Sequence, residues 1–344
     1  MWTLEELEPE IDDIRARIQQ HRRGLKEYFV ARDEEIDLAI LCAVAQEPLL
    51  LVGPPGTAKS DLVVKLTESL GLGAGDYFEY MLTKFTEPSE ILGPIDIAVL
   101  KEGRYLRRTR GMLPDCRVAF LDEIFKSNSA ILNTLLTILN ERKFYQDGQP
   151  TPVRLVMLFA ATNDIPDQSE LEAMADRFIL KIETKPVKDR HFEELIDAGV
   201  MNESYRASGH KPWTRGAASL DDFLKLKRFM DLSFGMGREP GRDRAQWFPR
   251  PVFAEMRRIV RALETEDKVL VSDRKLVKLY KVIRTQAFLN HGGAVQTFGP
   301  EPAGVRGQPP RRDPGGGEQG QGAAGARRVS AWAGDSAAKN CCRR

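Results

Sequence analysis

The sequence predicts an α/β protein: a parallel sheet sandwiched by helices and carrying hairpin inserts, then a smaller all-α domain and a disordered tail. Three observations predict it. Apolar runs at 49–52, 118–121 and 155–161 each stop abruptly on small or polar residues, as buried parallel strands do where their C-terminal ends form a ligand edge. After residue 185 the pattern changes to apolar residues at helical spacing. Beyond about residue 292 the chain is mostly Gly, Pro, Arg, Ala and Gln without periodicity, and such a segment cannot bury enough apolar surface to offset its ordering entropy. The expected division is 1–185, 186–292 and 293–344.

At the N-terminus, Leu7, Ile11, Ile14 and Ile18 recur at helical spacing, and 34–44 supplies a second apolar-rich helix. Phe29 and Val30 lie just before it. The strand 49–52 then runs into Gly53, Pro54, Pro55, Gly56, Thr57, Ala58, Lys59 and Ser60, with a helix expected over 60–70. A strand that ends in a curled loop at a helix N-terminus is an anion site, because inward-facing N–H groups and the helix dipole both favour phosphate. Gly53 and Gly56 let the backbone curl, Lys59 suits the β- and γ-phosphates, and the Ser60 hydroxyl suits Mg²⁺. The pattern G-x-x-x-x-G-K-[ST] is met except at Ala58, which stands where the second glycine is usual; one methyl group is small enough to keep the assignment.

Segments 95–100 and 105–108, around a Lys101-Glu102-Gly103-Arg104 turn, read as a hairpin. The strand 118–121 closes on Asp122 and Glu123: Asp122 suits the surroundings of a bound Mg²⁺, and Glu123 suits the base that polarises a water. A helix over 129–142 carries Leu132, Leu135, Leu136 and Leu139 on one face, and 144–153 reads as a second hairpin turning at Asp147-Gly148. The strand 155–161 ends in Thr162-Asn163-Asp164, which puts the Asn163 amide beside Glu123, where it can orient the water. Helices are expected at 192–196, 220–232, 251–263 and 272–290, with Ser272 as an N-cap; 204–216 and 235–249 read as long loops anchored by Trp213 and Trp247.

The strings GPPGTAKS, FLDEI, LLTILNERKF, ATND and ADRF, in that order, resemble the MoxR branch of AAA+ ATPases. FEYMLTKFTEPSEILGP, GRY, ILNTLL, NERKF and VSDRK further resemble its RavA-type members, over roughly residues 20–292. The resemblance implies that Gly53 to Ser60 form the Walker A loop, Asp122 and Glu123 the Walker B pair, and Asn163 sensor 1. It matches Arg177 to the arginine offered to a neighbouring subunit's γ-phosphate and Arg274 to sensor 2; Arg142 is a second candidate for the contact across the subunit boundary. The two hairpins resemble the helix-2 insert and the pre-sensor-1 hairpin, and Phe29 and Val30 fall where relatives pack adenine. ATP and Mg²⁺ are thereby implied, as are a homo-oligomeric ring, expected to be a hexamer, a von Willebrand factor A domain partner and a chaperone-like or metal-centre maturation role on an unidentified client. RavA-type chains resume regular structure where this tail begins, so a truncated or frame-shifted end is the expectation there.

Composition bounds the alternatives. The chain has 344 residues, 42% hydrophobic and 29% charged, with a formal net charge of +1. That balance gives no global field toward nucleic acid or membrane. A nucleic-acid partner is therefore not expected, and a nucleic-acid motor ranks below the ATPase subunit of a magnesium-chelatase-like complex among alternatives; a nucleotide-gated scaffold without turnover is a third. No apolar run approaches the roughly 20 residues of a membrane span, and no export signal is evident. Cys42 and Cys116 lie in apolar surroundings and read as buried thiols, Cys341 and Cys342 have no matching His cluster, and a reducing, cytoplasmic location is expected.

Overall fold

The computed structural model describes residues 2–165, 171, 174–235, 247–266 and 268–296. The expected 235–249 loop falls mostly, and the expected disordered tail almost entirely, outside the described residues.

Five parallel strands form one sheet in the order β2 (Tyr77–Met81), β3 (Val118–Asp122), β6 (Met157–Thr162), β1 (Leu49–Val52), β7 (Leu180–Glu183). Parallel pairing demands covered faces, and alternate residues serve them. Leu49, Leu51, Val118, Phe120 and Phe159 point into one core with the helices Ile11–Tyr28, Asp33–Ala45, Lys59–Ser69, Leu220–Gly235 and Asp273–His291. Leu50, Ala119, Leu121, Leu158 and Ala160 point into the other, against Pro88–Leu92 and Ser129–Glu141. The N-terminal apolar stripe holds as expected, with Leu7, Ile11, Ile14 and Ile18 all buried. Phe229, Val282 and Phe288 join the same core, so the apolar interior runs on without a break from the sheet into the C-terminal helices.

The 144–153 hairpin is present as β4 (Lys143–Gln146) paired antiparallel with β5 (Gln149–Pro152). The 95–108 hairpin is not formed as expected. Its first arm is a helical turn, Ile97–Lys101, because Asp96 caps the N–H groups of Ala98 and Val99; only a single bridge, Ile95 to Arg107, joins the arms. The expected 192–196 helix continues to Ser208, and Pro212–Thr214 is a 3₁₀ turn, so 204–216 is largely helical rather than a long loop. Trp213 is the anchor expected there: its indole N–H donates to Glu68 at 2.9 Å and Lys65 stacks over its ring at 4.1 Å. Ser272 caps the Asp273–His291 helix, its hydroxyl accepting from the Lys275 N–H.

Candidate nucleotide site at the strand tips

All five sheet strands point their C-terminal ends the same way, so the 53–60 loop, Asp122-Glu123 and Thr162-Asn163 gather on one edge. The loop is fastened to its neighbours by main chain: the Gly53 N–H donates to the Thr162 carbonyl at 3.1 Å and the Thr184 N–H donates to the Val52 carbonyl at 2.7 Å. The Thr57 hydroxyl lies 2.9 Å from that of Thr184 and donates to the Pro54 carbonyl. A Cβ at Gly53 would overlap the Thr184 carbonyl, so glycine there is a matter of space. Gly56 has φ 79° and Ala58 φ 61°, both left-handed. Ala58, which stands where the second glycine is usual, thus occupies a backbone region that L residues disfavour.

Lys59 is buried, its amine donating to the Gly53 and Pro54 carbonyls at 2.6 and 3.0 Å. Burial pulls the amine below its ordinary pKa, while the charges of Asp122 and Glu123 oppose that pull. The Ser60 hydroxyl donates to Asp122 Oδ2 at 3.4 Å, so the two oxygens already converge on a point suited to a hard cation. The Asn163 amide donates to Glu123 Oε1 at 2.7 Å, bringing together two residues 40 positions apart. Glu123 Oε2 is buried without a hydrogen-bond partner, and its residue sits at φ 53°, a left-handed conformation that aims the side chain off the strand tip. An orphaned carboxylate oxygen beside a Ser/Asp pair and a buried lysine is a donor set that fits a Mg²⁺-bound triphosphate and a water.

Two contributors escaped sequence reasoning. Lys126 pairs with Glu123 Oε1 at 2.9 Å, and Asn128 caps the Ser129–Glu141 helix through its Oδ1 while its amide donates to the Thr86 carbonyl at 2.8 Å. The signal for Asn128 was present, since Asn before an apolar helical run is a start signal.

The arginines lie elsewhere. Arg177 precedes β7 on the opposite edge of the sheet; Leu49 pairs with Leu180 in register, which fixes that edge as the N-terminal one. Its Nε is buried without a hydrogen-bond partner, and Asp176 and Glu183 are each paired with a lysine, Asp176 with Lys275 and Glu183 with Lys185. Arg274 donates to Asn140 Oδ1 at 3.2 Å, near that same edge. Arg142 donates to the Leu155 and Gln46 carbonyls of its own chain at 3.2 and 3.0 Å. Phe29 is a core residue packed edge-on against Tyr28.

The chain matches the model of the MoxR domain in the MoxR-vWA-beta-propeller ternary systems over residues 16–222, and an AAA lid domain over 251–297. Two uncharacterized proteins of Methanocaldococcus jannaschii are similar: one is 33% identical over 79% of this chain and 66% of its own length, the other 32% over 81% and 67%. The chain thus spans about two thirds of the length of these relatives. The crystal structure of a candidate ATPase from Cytophaga hutchinsonii shares the fold, with a TM-score of 0.63 at 18% identity, covering 85% of this chain and 86% of that one.

Proposed function

The chain belongs to the MoxR family of AAA+ ATPases, and on that premise we propose that it binds and hydrolyses ATP at the 53–60 edge, working as a ring. The observation that carries this reading is the convergence on one edge of Lys59, the Ser60–Asp122 pair and the Asn163–Glu123 pair. Loop N–H groups and the N-terminus of the Lys59–Ser69 helix would hold the phosphates, with Lys59 exchanging its carbonyl partners for phosphate oxygens. Mg²⁺, held by Ser60 and Asp122, would supply Lewis-acid polarisation of the phosphate oxygens. Glu123, steadied through Oε1 by Asn163, would accept a proton from the attacking water through its free Oε2. The water oxygen would bond to the γ-phosphorus, the bond to the β–γ bridging oxygen would break, and ADP would leave.

Remodelling of a client is proposed from the two projections. The Tyr105 N–H donates to Asp147 Oδ1 at 3.2 Å and the Arg107 N–H to Gln146 Oε1 at 2.8 Å, so the 95–108 insert and the β4–β5 hairpin are joined as one unit that a motion at the strand tips would carry. A von Willebrand factor A domain partner is proposed from the ternary systems that name the matched model. Among the described residues no helix is long and apolar enough to cross a membrane.

Three variants test the site. Lys59→Ala should weaken ATP binding at least about tenfold, because it removes a charge-assisted contact to phosphate. Glu123→Gln should bind ATP as the parent does and release phosphate about 10²-fold more slowly. Asn163→Ala should keep binding and lose about tenfold in rate through misplacement of Glu123. Calorimetry on folded protein that registered no heat with ATP and Mg²⁺ would end this reading.

A further inference from the structure

We propose that Lys126 is a positioning residue for ATP hydrolysis: its ammonium, together with the Asn163 amide, holds Glu123 Oε1 so that Oε2 stays turned to the attacking water. The inference rests on the ATPase reading above and adds a residue to the machinery of that same site.

Glu123 leaves the tip of β3 on a left-handed backbone, φ 53° and ψ 43°, a conformation that its surroundings must maintain. Its carboxylate swings about several side-chain bonds, and each swing displaces the oxygen that has to meet the water. Oε1 is caught twice, by the Asn163 amide at 2.7 Å and by the Lys126 ammonium at 2.9 Å, while Oε2 is buried and has no hydrogen-bond partner among the described residues. A single donor would leave the carboxylate free to pivot about one hydrogen bond. Two donors, one following β6 and the other in the turn after β3, remove that pivot.

Lys126 is itself built into place. Ile124–Lys126 is a 3₁₀ turn in which the Lys126 N–H donates to the Glu123 carbonyl at 2.8 Å, and residues three apart in such a turn lie one above the other. Main chain and side chain of Lys126 thus both return to Glu123. The Ser127 hydroxyl closes the same turn by donating to the Ile124 carbonyl at 2.9 Å. At both ends the segment is fastened to the loop that follows β2: the Leu82 N–H donates to the Asp122 carbonyl at 2.9 Å, and the Asn128 amide donates to the Thr86 carbonyl at 2.8 Å.

Stability does not account for the pair. The Lys126 side chain is 55% exposed against 13% for Glu123, and an ion pair with one partner in solvent contributes little to folding. Lys59, the other amine at this edge, already serves the Gly53 and Pro54 carbonyls. Holding a long, flexible ammonium on one oxygen of the base therefore points to a task in turnover.

Steady-state kinetics of the full chain with ATP and Mg²⁺ test it. Lys126→Ala should lower kcat about tenfold with KM for ATP and the denaturant midpoint unchanged, because only the placement of Glu123 is lost. Lys126→Arg, which keeps a cationic donor on a long stem, should retain most of the parent rate. Lys126→Ala/Asn163→Ala should fall to the level of Glu123→Gln, and on the Glu123→Gln background Lys126→Ala should cost nothing further, since no carboxylate remains to be placed. An unchanged kcat in Lys126→Ala, a loss carried by KM, failure of Lys126→Arg to restore the rate, or a further tenfold loss on the Glu123→Gln background would each overturn the assignment while leaving the nucleotide site standing. A parent chain that binds ATP and releases no phosphate would instead remove the hydrolytic reading, and this assignment with it.

Discussion

Three positions at the strand tips are constrained, each for a different reason. Gly53 has no room for a side chain, because the Thr184 carbonyl occupies the place of its Cβ. Gly53→Ala should therefore push the β1 and β7 tips apart and destabilise the fold by about 1–3 kcal/mol, read as a lower denaturant midpoint, with ATP affinity lost alongside. Ala58 is the reverse case: its left-handed backbone, φ 61° and ψ 23°, starts the Lys59–Ser69 helix with an L residue in a region glycine enters freely. Ala58→Gly should raise stability by about 0.5 kcal/mol, the strain relieved outweighing the added unfolded-state entropy; an unchanged or lower midpoint would show that the loop bears no strain there. Glu123 shares that backbone region, but its conformation delivers an oxygen to the site, so relief there would trade geometry for stability.

At the scale of elements, the Ile11–Tyr28 helix is tied to the loop helix and the C-terminal helices through one buried imidazole. His21 Nε2 lies 2.6 Å from the Ser69 hydroxyl, which itself donates to the Leu66 carbonyl, and the Phe223 ring meets it edge-on. Its Nδ1 is buried without a partner, and burial depresses its pKa from the ordinary 6.5 to about 4. The unfolded chain takes up the proton first, so this contribution is whole above pH 6.5 and is lost as pH falls toward 4, about 3 kcal/mol across the window. Denaturant midpoints measured from pH 7 to pH 4.5 should fall, and His21→Leu should flatten that slope. If the variant kept the full slope, His21 would not be the group that titrates.

Elements also show what the sequence made legible. The strands β1, β3 and β6 could be read because buried parallel strands are continuous apolar runs that end on chemistry: Lys59, Glu123 and Asn163 identify themselves by following them. The edge strands β2 and β7, Tyr77–Met81 and Leu180–Glu183, mix charged and apolar residues and gave no such run. The insert was misread because a local capping bond from Asp96 outcompeted strand pairing, a choice made by one side chain. Arg142 was ambiguous for a related reason: an arginine at a helix end reads alike in sequence whether it binds carbonyls of its own chain, as it does here with those of Gln46 and Leu155, or faces outward.

Across the whole molecule, the decisive feature is that the phosphate loop and the two candidate arginines occupy opposite edges of one sheet. Strands of four to six residues separate those edges by about 13–20 Å, too far for Arg177 to serve the loop of its own chain without rebuilding the sheet. Arg177 acting in a neighbour therefore makes a prediction that no single-chain mechanism shares. Arg177→Ala should bind ATP and hydrolyse almost nothing, and Lys59→Ala should hydrolyse nothing because it holds no nucleotide. Mixed in equal amounts and allowed to exchange subunits, the two inactive proteins should regain about a quarter of the parent rate, since one boundary in four joins an intact loop to an intact arginine in a head-to-tail ring. Mixing Glu123→Gln with Lys59→Ala should recover none beyond the sum of the parts, because both changes disable the site of the same chain, and mixing Arg177→Ala with Glu123→Gln/Arg177→Ala should likewise recover none. A mixture of Arg177→Ala and Lys59→Ala that stayed inactive despite proven subunit exchange would place the arginine's role within its own chain and leave the buried, unpartnered Arg177 Nε a structural feature of the β7 edge.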